Sequence, residues 1–295
     1  MKIAVAMLCH KNVQQINSLL RAMENKNISF FIHVDRKSTI GRDGILGNNV
    51  TVIPKGCSVD IQWGGFGMIE ATLRLIETIR QTNQEYDYIW LMSGQDWPLY
   101  SSDEIVRYVE QHNGDDFIEI LPDQESFERG YCKRNALYYP SWMVSNNTYI
   151  KVMKHLFWLV TGGRKSTKIC KRKTKVEKFY YGSQWWLLSK QSVDAMMRFL
   201  NNNEWYTEYF KHSLVPDESF FQTLYGKLIG VEKAKPTVCY VNWKENRNSP
   251  EVLTCNDLEK LLDGRGNYLI ARKFDFDVDE DIVSKIRRTG KRVTR

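Results

Sequence analysis

Through the first 120 residues, short apolar runs of strand length alternate with segments whose apolar residues recur at helical spacing. Few architectures accept that pattern. Residues 3–8, 30–34, 51–53, 88–92 and 117–121 read as strands. Residues 13–23 read as a helix through Val13, Ile16, Leu19, Leu20 and Met23, and Met68, Ile69, Leu73, Ile76 and Ile79 mark a second. Ser101 and Glu104 have the spacing of a capping box and predict a third helix running to about His112. Alternation of this kind predicts an α/β chain with parallel strands and helices on both faces, whose ligand crevice lies beyond the carboxyl ends of the strands.

The rhythm stops over residues 122–178, which are rich in Tyr, Trp, Asn and Lys. It returns with a strand over 184–188, a helix over 189–200, and a helix near 216–225. Strands at 238–241 and 268–271 flank a short helix ended by Gly264. No internal repeat and no Pro/Gly/Ser linker interrupts the chain. One domain over 1–295 is therefore expected, with an irregular basic insert at 122–178 and a basic tail at 285–295.

Charge separates these parts. The total is +7, but residues 151–178 alone carry +9 and residues 285–295 carry +6, so the remainder is acidic at −8. A general nucleic-acid-binding reading is weakened by that distribution and by the lack of RNA-module aromatic motifs. With 42% hydrophobic and 26% charged residues, disorder is excluded. No apolar run approaches the roughly 18 residues of a membrane span. The apolar start at residues 3–8 ends at Cys9-His10-Lys11 without a small-residue cleavage site and reads as a first strand rather than a signal peptide. Six scattered cysteines without a C-x-x-C pair read as reduced thiols, and a cytoplasmic location is expected.

Within the insert, Ile150, Met153, Leu156, Phe157 and Val160 share one helical face. Two readings stand. The helix packs on the core and is followed by a solvated basic loop, or it lies on an anionic membrane surface as a peripheral contact through 148–178, next to a lipid-linked acceptor.

Several chemistries are excluded by missing motifs: no phosphate loop, no dinucleotide glycine fingerprint, no nucleophile elbow and no H-E-x-x-H is present. The acidic cluster Asp275, Asp277, Asp279, Glu280 and Asp281 lacks the glycine and terminal glutamate of an EF-hand and reads as a solvated helix N-terminus. What remains is a set of polar segments at strand ends and helix starts. They are H-V-D-R-K at 33–37, W-G-G-F at 63–66, S-G-Q-D-W-P at 93–98, G-S-Q-W-W at 182–186, P-D-E at 216–218 and R-K-F-D at 272–275.

In this order the segments resemble the core-2/I-branching family of β-1,6-N-acetylglucosaminyltransferases, glycosyltransferase family 14, which also includes peptide O-xylosyltransferases. The similarity runs from Val5 to about Asp279; it departs from animal members at Ser93, where they typically carry cysteine, and a bacterial-type member is expected because no N-terminal anchor is read in the sequence. It implies a GT-A-like, Rossmann-related α/β fold, with a mixed central sheet and helices on both faces. It also implies inverting transfer from a UDP-sugar to a glycan hydroxyl, with no metal and no cofactor. D-x-D occurs in the sequence solely within the acidic tail segment 275–281, away from the early strands.

Spacing alone leaves Asp217 and Glu218 as first-turn acids after Pro216, whereas the match to P-D-E makes Glu218 the general base and Asp217 structural. By the same resemblance Lys273 contacts the diphosphate, with Arg247 as its partner and Lys244 or Arg272 as the alternatives. Asp35 would face the nucleotide, and His10 would line the same pocket or cap its strand. Gly182 and Ser183 would let the backbone approach donor or acceptor. Trp185 and Trp243 would be sugar platforms or core tryptophans, and Asp96 would meet a sugar or hold its own loop. The expected donor is UDP-N-acetylglucosamine, with UDP-xylose as the alternative. A glycan-binding protein without turnover is the reading from another class.

Overall fold

The computed structural model describes residues 1–121, 134–140, 152–153, 156, 159–160, 172–243, 249–263 and 266–293. In chain order its strands are β1 (Ile3–Cys9), β2 (Ile28–Val34), β3 (Val50–Val52), β4 (Tyr88–Ser93), β5 (Asp96–Pro98), β6 (Asp116–Ile118), β7 (Trp186–Ser189), β8 (Ala234–Lys235), β9 (Cys239–Val241) and β10 (Ile270–Arg272). Its helices are α1 (Val13–Ala22), α2 (Gly67–Arg80), α3 (Ser102–Gln111), α4 (Lys190–Asn202), α5 (Glu204–Lys211), α6 (Phe220–Leu228), α7 (Leu258–Asp263) and α8 (Asp281–Val293).

Among the described residues, seven strands form one sheet in the order β3-β2-β1-β4-β7-β6-β8. β1 sits near its centre, with Ile3 opposite both Ile28 and Tyr88 in parallel pairing. Every residue of β1 is buried, because both faces of the strand are covered. Alternate side chains serve opposite layers. Ile3, Val5, Met7 and Cys9 join the core under α1, α3 and α8, whereas Ala4, Ala6 and Leu8 join the core under α2, α4, α5 and α6.

The sheet is mixed, as the family resemblance implies and unlike the parallel sheet that alternation alone predicts, since β7 runs antiparallel to both β4 and β6. β1, β2, β4, β6 and β8 keep one direction. Their carboxyl ends therefore form one lip, which carries His10, Asp35, Ser93 and Glu119.

Other departures from the sequence reading are local. The loop at 93–98 contains β5, which pairs antiparallel with β10 while β10 runs parallel to β9. α5 was not expected; its apolar face is only Tyr206, Tyr209 and Phe210, too short a pattern to read at 3.6 periodicity. The helix expected near 216–225 is split. Pro216–Glu218 is a 3-10 turn, preceded by Val215 at φ 50°, and α6 begins at Phe220. A β-branched residue in that region is rare, and here the Val215 N–H is held by the Gly64 carbonyl at 2.8 Å. The capping box at Ser101 and Glu104 is present as expected.

In the insert, Val152, Met153, Leu156, Leu159 and Val160 are helical and exposed, not packed on the core. Ile150 and Phe157 lie outside the described residues. Of the basic loop, residues 161–171 lie outside the described residues; Lys173, Lys175 and Lys178 are exposed as expected, and Arg172 is half-buried. Arg172 lies 3.7 Å over the Tyr209 ring, and Lys175 and Lys178 face Trp205 and Tyr180. Among the described residues no helix is long and apolar enough to cross a membrane. Cys9, Cys57, Cys239 and Cys255 are free thiols.

Candidate active site

Glu218 is positioned by three segments that are distant in sequence. Its own 3-10 turn is fixed by Val215, its carbonyl accepts the Gly182 N–H at 3.0 Å, and its carboxylate Oε2 meets Arg134 Nη1 at 2.6 Å. The carboxylate remains 39% exposed, so it faces solvent as well as its partner. Neighbouring Asp217 is pushed up to about 7 by burial and then by the adjacent Glu218 charge. Of the two acids, only Glu218 has an arginine at ion-pair distance among the described residues.

Arg134 comes from the irregular insert, where no periodicity or motif marked it. It is carried by Asn135, a buried side chain that donates to the Tyr181 hydroxyl at 3.2 Å and the Ser219 hydroxyl at 3.1 Å. The Leu214 N–H donates to the Arg134 carbonyl at 2.9 Å, which stitches the same turn from its other side.

Gly182 is needed for packing. A Cβ there would stand 1.9 Å from the Glu119 carbonyl, so protein backbone already occupies the space a side chain would need. Ser183 is anchored by its N–H to Glu119 Oε2 at 2.8 Å, and its carbonyl accepts from Gln222 Nε2. Two residues on, Trp185 carries the Arg272 guanidinium 3.9 Å above its ring.

Arg272 and Asp96 are cross-strand neighbours in the β10–β5 pair, with Nε 3.4 Å from Oδ1. Asp96 is fully buried and accepts the Ser93 N–H at 2.8 Å, so its carboxylate shapes the 93–98 loop and faces Arg272. Burial drives its pKa up, opposed by the Arg272 charge. Arg272 Nε and Nη1 are buried and make no hydrogen bond among the described residues. Nε already faces the Asp96 carboxylate, so Nη1 is the donor that a bound anion would satisfy, and leaving it unmet costs about 1–3 kcal/mol.

Lys273 follows immediately and is half-buried, its pKa lowered by burial, then by Arg272. His10 has Lys273, Lys11, Asp35 and Asp275 as its charged neighbours, and burial followed by Lys273 lowers its pKa. The structure thus brings His10, Asp35 and Lys273 near one another at the ends of β1 and β2. Asp35 is buried and accepts the Lys37 N–H at 3.1 Å. The acids after Lys273 are not simply solvated: Asp275 and Asp277 hold Lys11 at 2.6 and 3.1 Å, and Asp279 Oδ1 accepts the N–H groups of Asp281 and Ile282 at the start of α8.

Trp243 is 56% exposed. Arg247 and Lys244 lie outside the described residues, so of the three candidates for second cation the structure places Arg272 alone. Among the described residues no three His, Cys, Asp or Glu side chains are grouped to hold a metal ion.

Comparison with known proteins agrees with the order of these segments. A xylosyltransferase of Ciona intestinalis is 20% identical over 93% of this chain and 32% of its own length. N-acetyllactosaminide β-1,6-N-acetylglucosaminyl-transferases of Mus musculus and Homo sapiens are 23% and 21% identical, over 79% and 90% of this chain and 55% and 61% of their own lengths. The chain therefore spans between about a third and three fifths of these relatives. Among solved structures, an active-site mutant of LgtC superposes at TM-score 0.37 with 10% identity, over 92% of this chain and 87% of that one, a likeness too slight to bear on function. The profile of the Core-2/I-Branching enzyme family matches residues 3–262, which include every segment that builds the site up to Glu218, and the chain belongs to that family.

Proposed function

We propose that this chain is an inverting glycosyltransferase that moves N-acetylglucosamine from a UDP-sugar to a glycan hydroxyl, forming a β linkage, β-1,6 by family resemblance. The observation that carries the reading is one chain of contacts. Glu218 is tied to Gly182, the segment from Gly182 runs to Trp185, Trp185 stacks on Arg272, and Arg272 adjoins Lys273. A carboxylate and two cations are thereby held at one lip of the sheet.

In the proposed step the acceptor O–H gives its proton to Glu218 while its oxygen attacks the anomeric carbon. The bond from that carbon to the β-phosphate oxygen breaks, and its electron pair leaves with UDP. Attack opposite the leaving group inverts the centre. Lys273 and the Nη1 donor of Arg272 would meet the charge that develops on the diphosphate, in place of a metal ion. His10 and Asp35 would hold the nucleotide.

The test is donor hydrolysis and transfer with and without EDTA, in the wild type and in Glu218→Gln. Full activity in EDTA and a loss of at least a hundredfold in Glu218→Gln are expected. Abolition by chelation, or full activity in the variant, would contradict the mechanism. The xylosyltransferase relatives favour a second donor, UDP-xylose, and a panel of UDP-sugars decides between the two.

The acceptor we propose is a glycan, or a lipid-linked glycan of surface polysaccharide synthesis, with peripheral membrane contact through 148–178. The exposed apolar residues Val152, Met153, Leu156, Leu159 and Val160, set in a segment of +9, support that contact. Co-sedimentation with phosphatidylglycerol vesicles that weakens at high salt is expected. Binding indifferent to anionic lipid would remove it.

A further inference from the structure

Gln15 stands in the first turn of α1 and is 1% exposed. Its amide group is bound entirely to the backbone of other segments. Nε2 donates to the Gly94 and Phe274 carbonyls, each at 3.1 Å, and Oε1 accepts the Phe276 N–H at 3.0 Å. Two carbonyls on one side and an N–H on the other settle which end of the amide is nitrogen. The residue is also held at its root, where its N–H donates to Asn12 Oδ1 at 2.9 Å. Burying an amide costs free energy unless it is hydrogen-bonded. A fold that needed only volume here would be served by Met or Leu.

Gln95 grips the same peptide from the 93–98 loop. It is buried, its Nε2 donates to the Phe274 carbonyl at 3.3 Å, and its own carbonyl accepts the Phe274 N–H at 2.8 Å. The Phe274 carbonyl thus receives two side-chain amides, as many as its lone pairs.

Lys273 lies between these contacts and the end of β10. Its carbonyl accepts the Leu253 N–H at 2.8 Å. The fully buried Phe274 ring fixes where the segment lies. The two amides fix the tilt of the peptide groups that follow Lys273, and with it the direction in which the half-buried lysine side chain sets out. Gln15 also joins three parts of the site: the start of α1 just beyond His10, the loop that carries Asp96, and the strand end that carries Arg272 and Lys273.

We propose that Gln15, assisted by Gln95, is a positioning residue for Lys273, acting through the Phe274 and Phe276 peptide groups without touching substrate. The inference rests on the reading above that Lys273 meets the diphosphate of a UDP-sugar. The experiment is a double-mutant cycle with UDP as the probe, its affinity measured by calorimetry. The full chain is used as wild type, Gln15→Met, Gln95→Met, Lys273→Ala and the two double variants, each first shown by thermal unfolding to be folded.

Lys273→Ala should weaken UDP binding by roughly tenfold or more, the order of one charge-assisted hydrogen bond. Gln15→Met should weaken it by about fivefold or more in the wild-type background and by less than about twofold in Lys273→Ala, because a residue that acts through Lys273 then has nothing to act through. Gln95→Met removes one bond of 3.3 Å and keeps its backbone contacts, so it carries the test where Gln15→Met does not fold. Its loss should be smaller, about threefold, with the same dependence on Lys273. A merely structural role would give equal losses in both backgrounds. Such additive losses, or wild-type affinity in the folded variant that carries the test, would overturn the positioning role. Turnover is read separately. Coupled UDP binding without turnover of any UDP-sugar defeats the proposed reaction and leaves the positioning role standing, and Lys273-dependent turnover with additive glutamine losses does the reverse. Full UDP affinity in Lys273→Ala overturns both.

Discussion

Arg134 Nη1 lies 2.6 Å from Glu218 Oε2 although the two residues are 84 apart in sequence. The pair fixes one oxygen of a carboxylate that is otherwise at the surface. A surface ion pair contributes little to stability, about 0–1 kcal/mol, so its value lies in orientation. Misplacing a reacting group by about 1 Å can cost on the order of a hundredfold in rate.

Arg134→Ala is therefore expected to lower kcat by about 10–100-fold with little change in the donor KM. Arg134→Lys should recover part of the loss, because an ammonium keeps the charge without the planar fork. Steady-state kinetics of both variants check this. An unchanged kcat in Arg134→Ala would separate the pair from turnover.

Asp217 makes stability depend on pH. Its folded pKa of about 7 is above its ordinary value of 3.8, so the folded state binds the proton more tightly than the unfolded state does. The resulting stability is complete below about pH 4 and is lost as pH rises towards 7. Asp217→Asn should melt higher than the wild type at pH 8, and the gap should close near pH 4. Thermal unfolding across that range is the measurement.

His33 acts in the opposite direction. Its Nε2 accepts the Val59 N–H at 2.8 Å and it is fully buried, and burial lowers its pKa to about 4 from 6.5. The unfolded chain takes up a proton that the folded chain refuses, so stability falls as pH drops from 6.5 to 4, by on the order of 2–3 kcal/mol. His33→Gln, which keeps an acceptor for Val59, should flatten that limb of the curve in denaturant titrations.

Gly182→Ala places a methyl group where the Glu119 carbonyl stands. Overpacking of this kind costs about 1–3 kcal/mol, and more where backbone must move. Chemical denaturation should show that loss. Turnover should fall as well, since the displaced N–H supports Glu218. Gly182→Ala with wild-type stability would mean the segment yields without strain.

Much of the sheet was legible because strands covered on both faces are mostly apolar, with single polar residues such as His33 admitted where they find a hydrogen-bond partner. β1, β2 and β4 are predominantly apolar runs, interrupted in β2 by Ser29 and His33, and their ends differ from the sequence reading by one or two residues. Helices α1, α2 and α3 were equally plain, since each must turn one apolar stripe to the core. β5 was missed because three residues with a terminal proline carry no pattern; its partners in β10 lie 172–176 residues away in the chain. The direction of β7 was missed for a related reason, because a buried strand reads the same whichever way it runs.

For the site, sequence named Glu218, Lys273, His10 and Asp35 as single residues and assigned roles by resemblance. It gave no sign of Arg134 or Asn135, whose segment has neither periodicity nor motif. It attributed Gly182 to substrate approach, whereas the nearest atoms belong to Glu119. Asp96 was named for a sugar or for its own loop and Trp185 for a sugar or the core; the fold sets both against Arg272, and Asp96 also holds its loop through the Ser93 N–H.

Local pattern thus determined which stretches become strands and helices, and the order of the polar segments determined the family. Tertiary structure decided which charges meet. Whether a carboxylate is a solvated acid or a held base depends on what lies within about 3 Å, and contacts such as Arg134 to Glu218 or Arg272 to Trp185 exist only once distant segments are folded together. Periodicity records burial, which is a property of each segment. Ion pairing at the lip of the sheet is a property of the assembled chain.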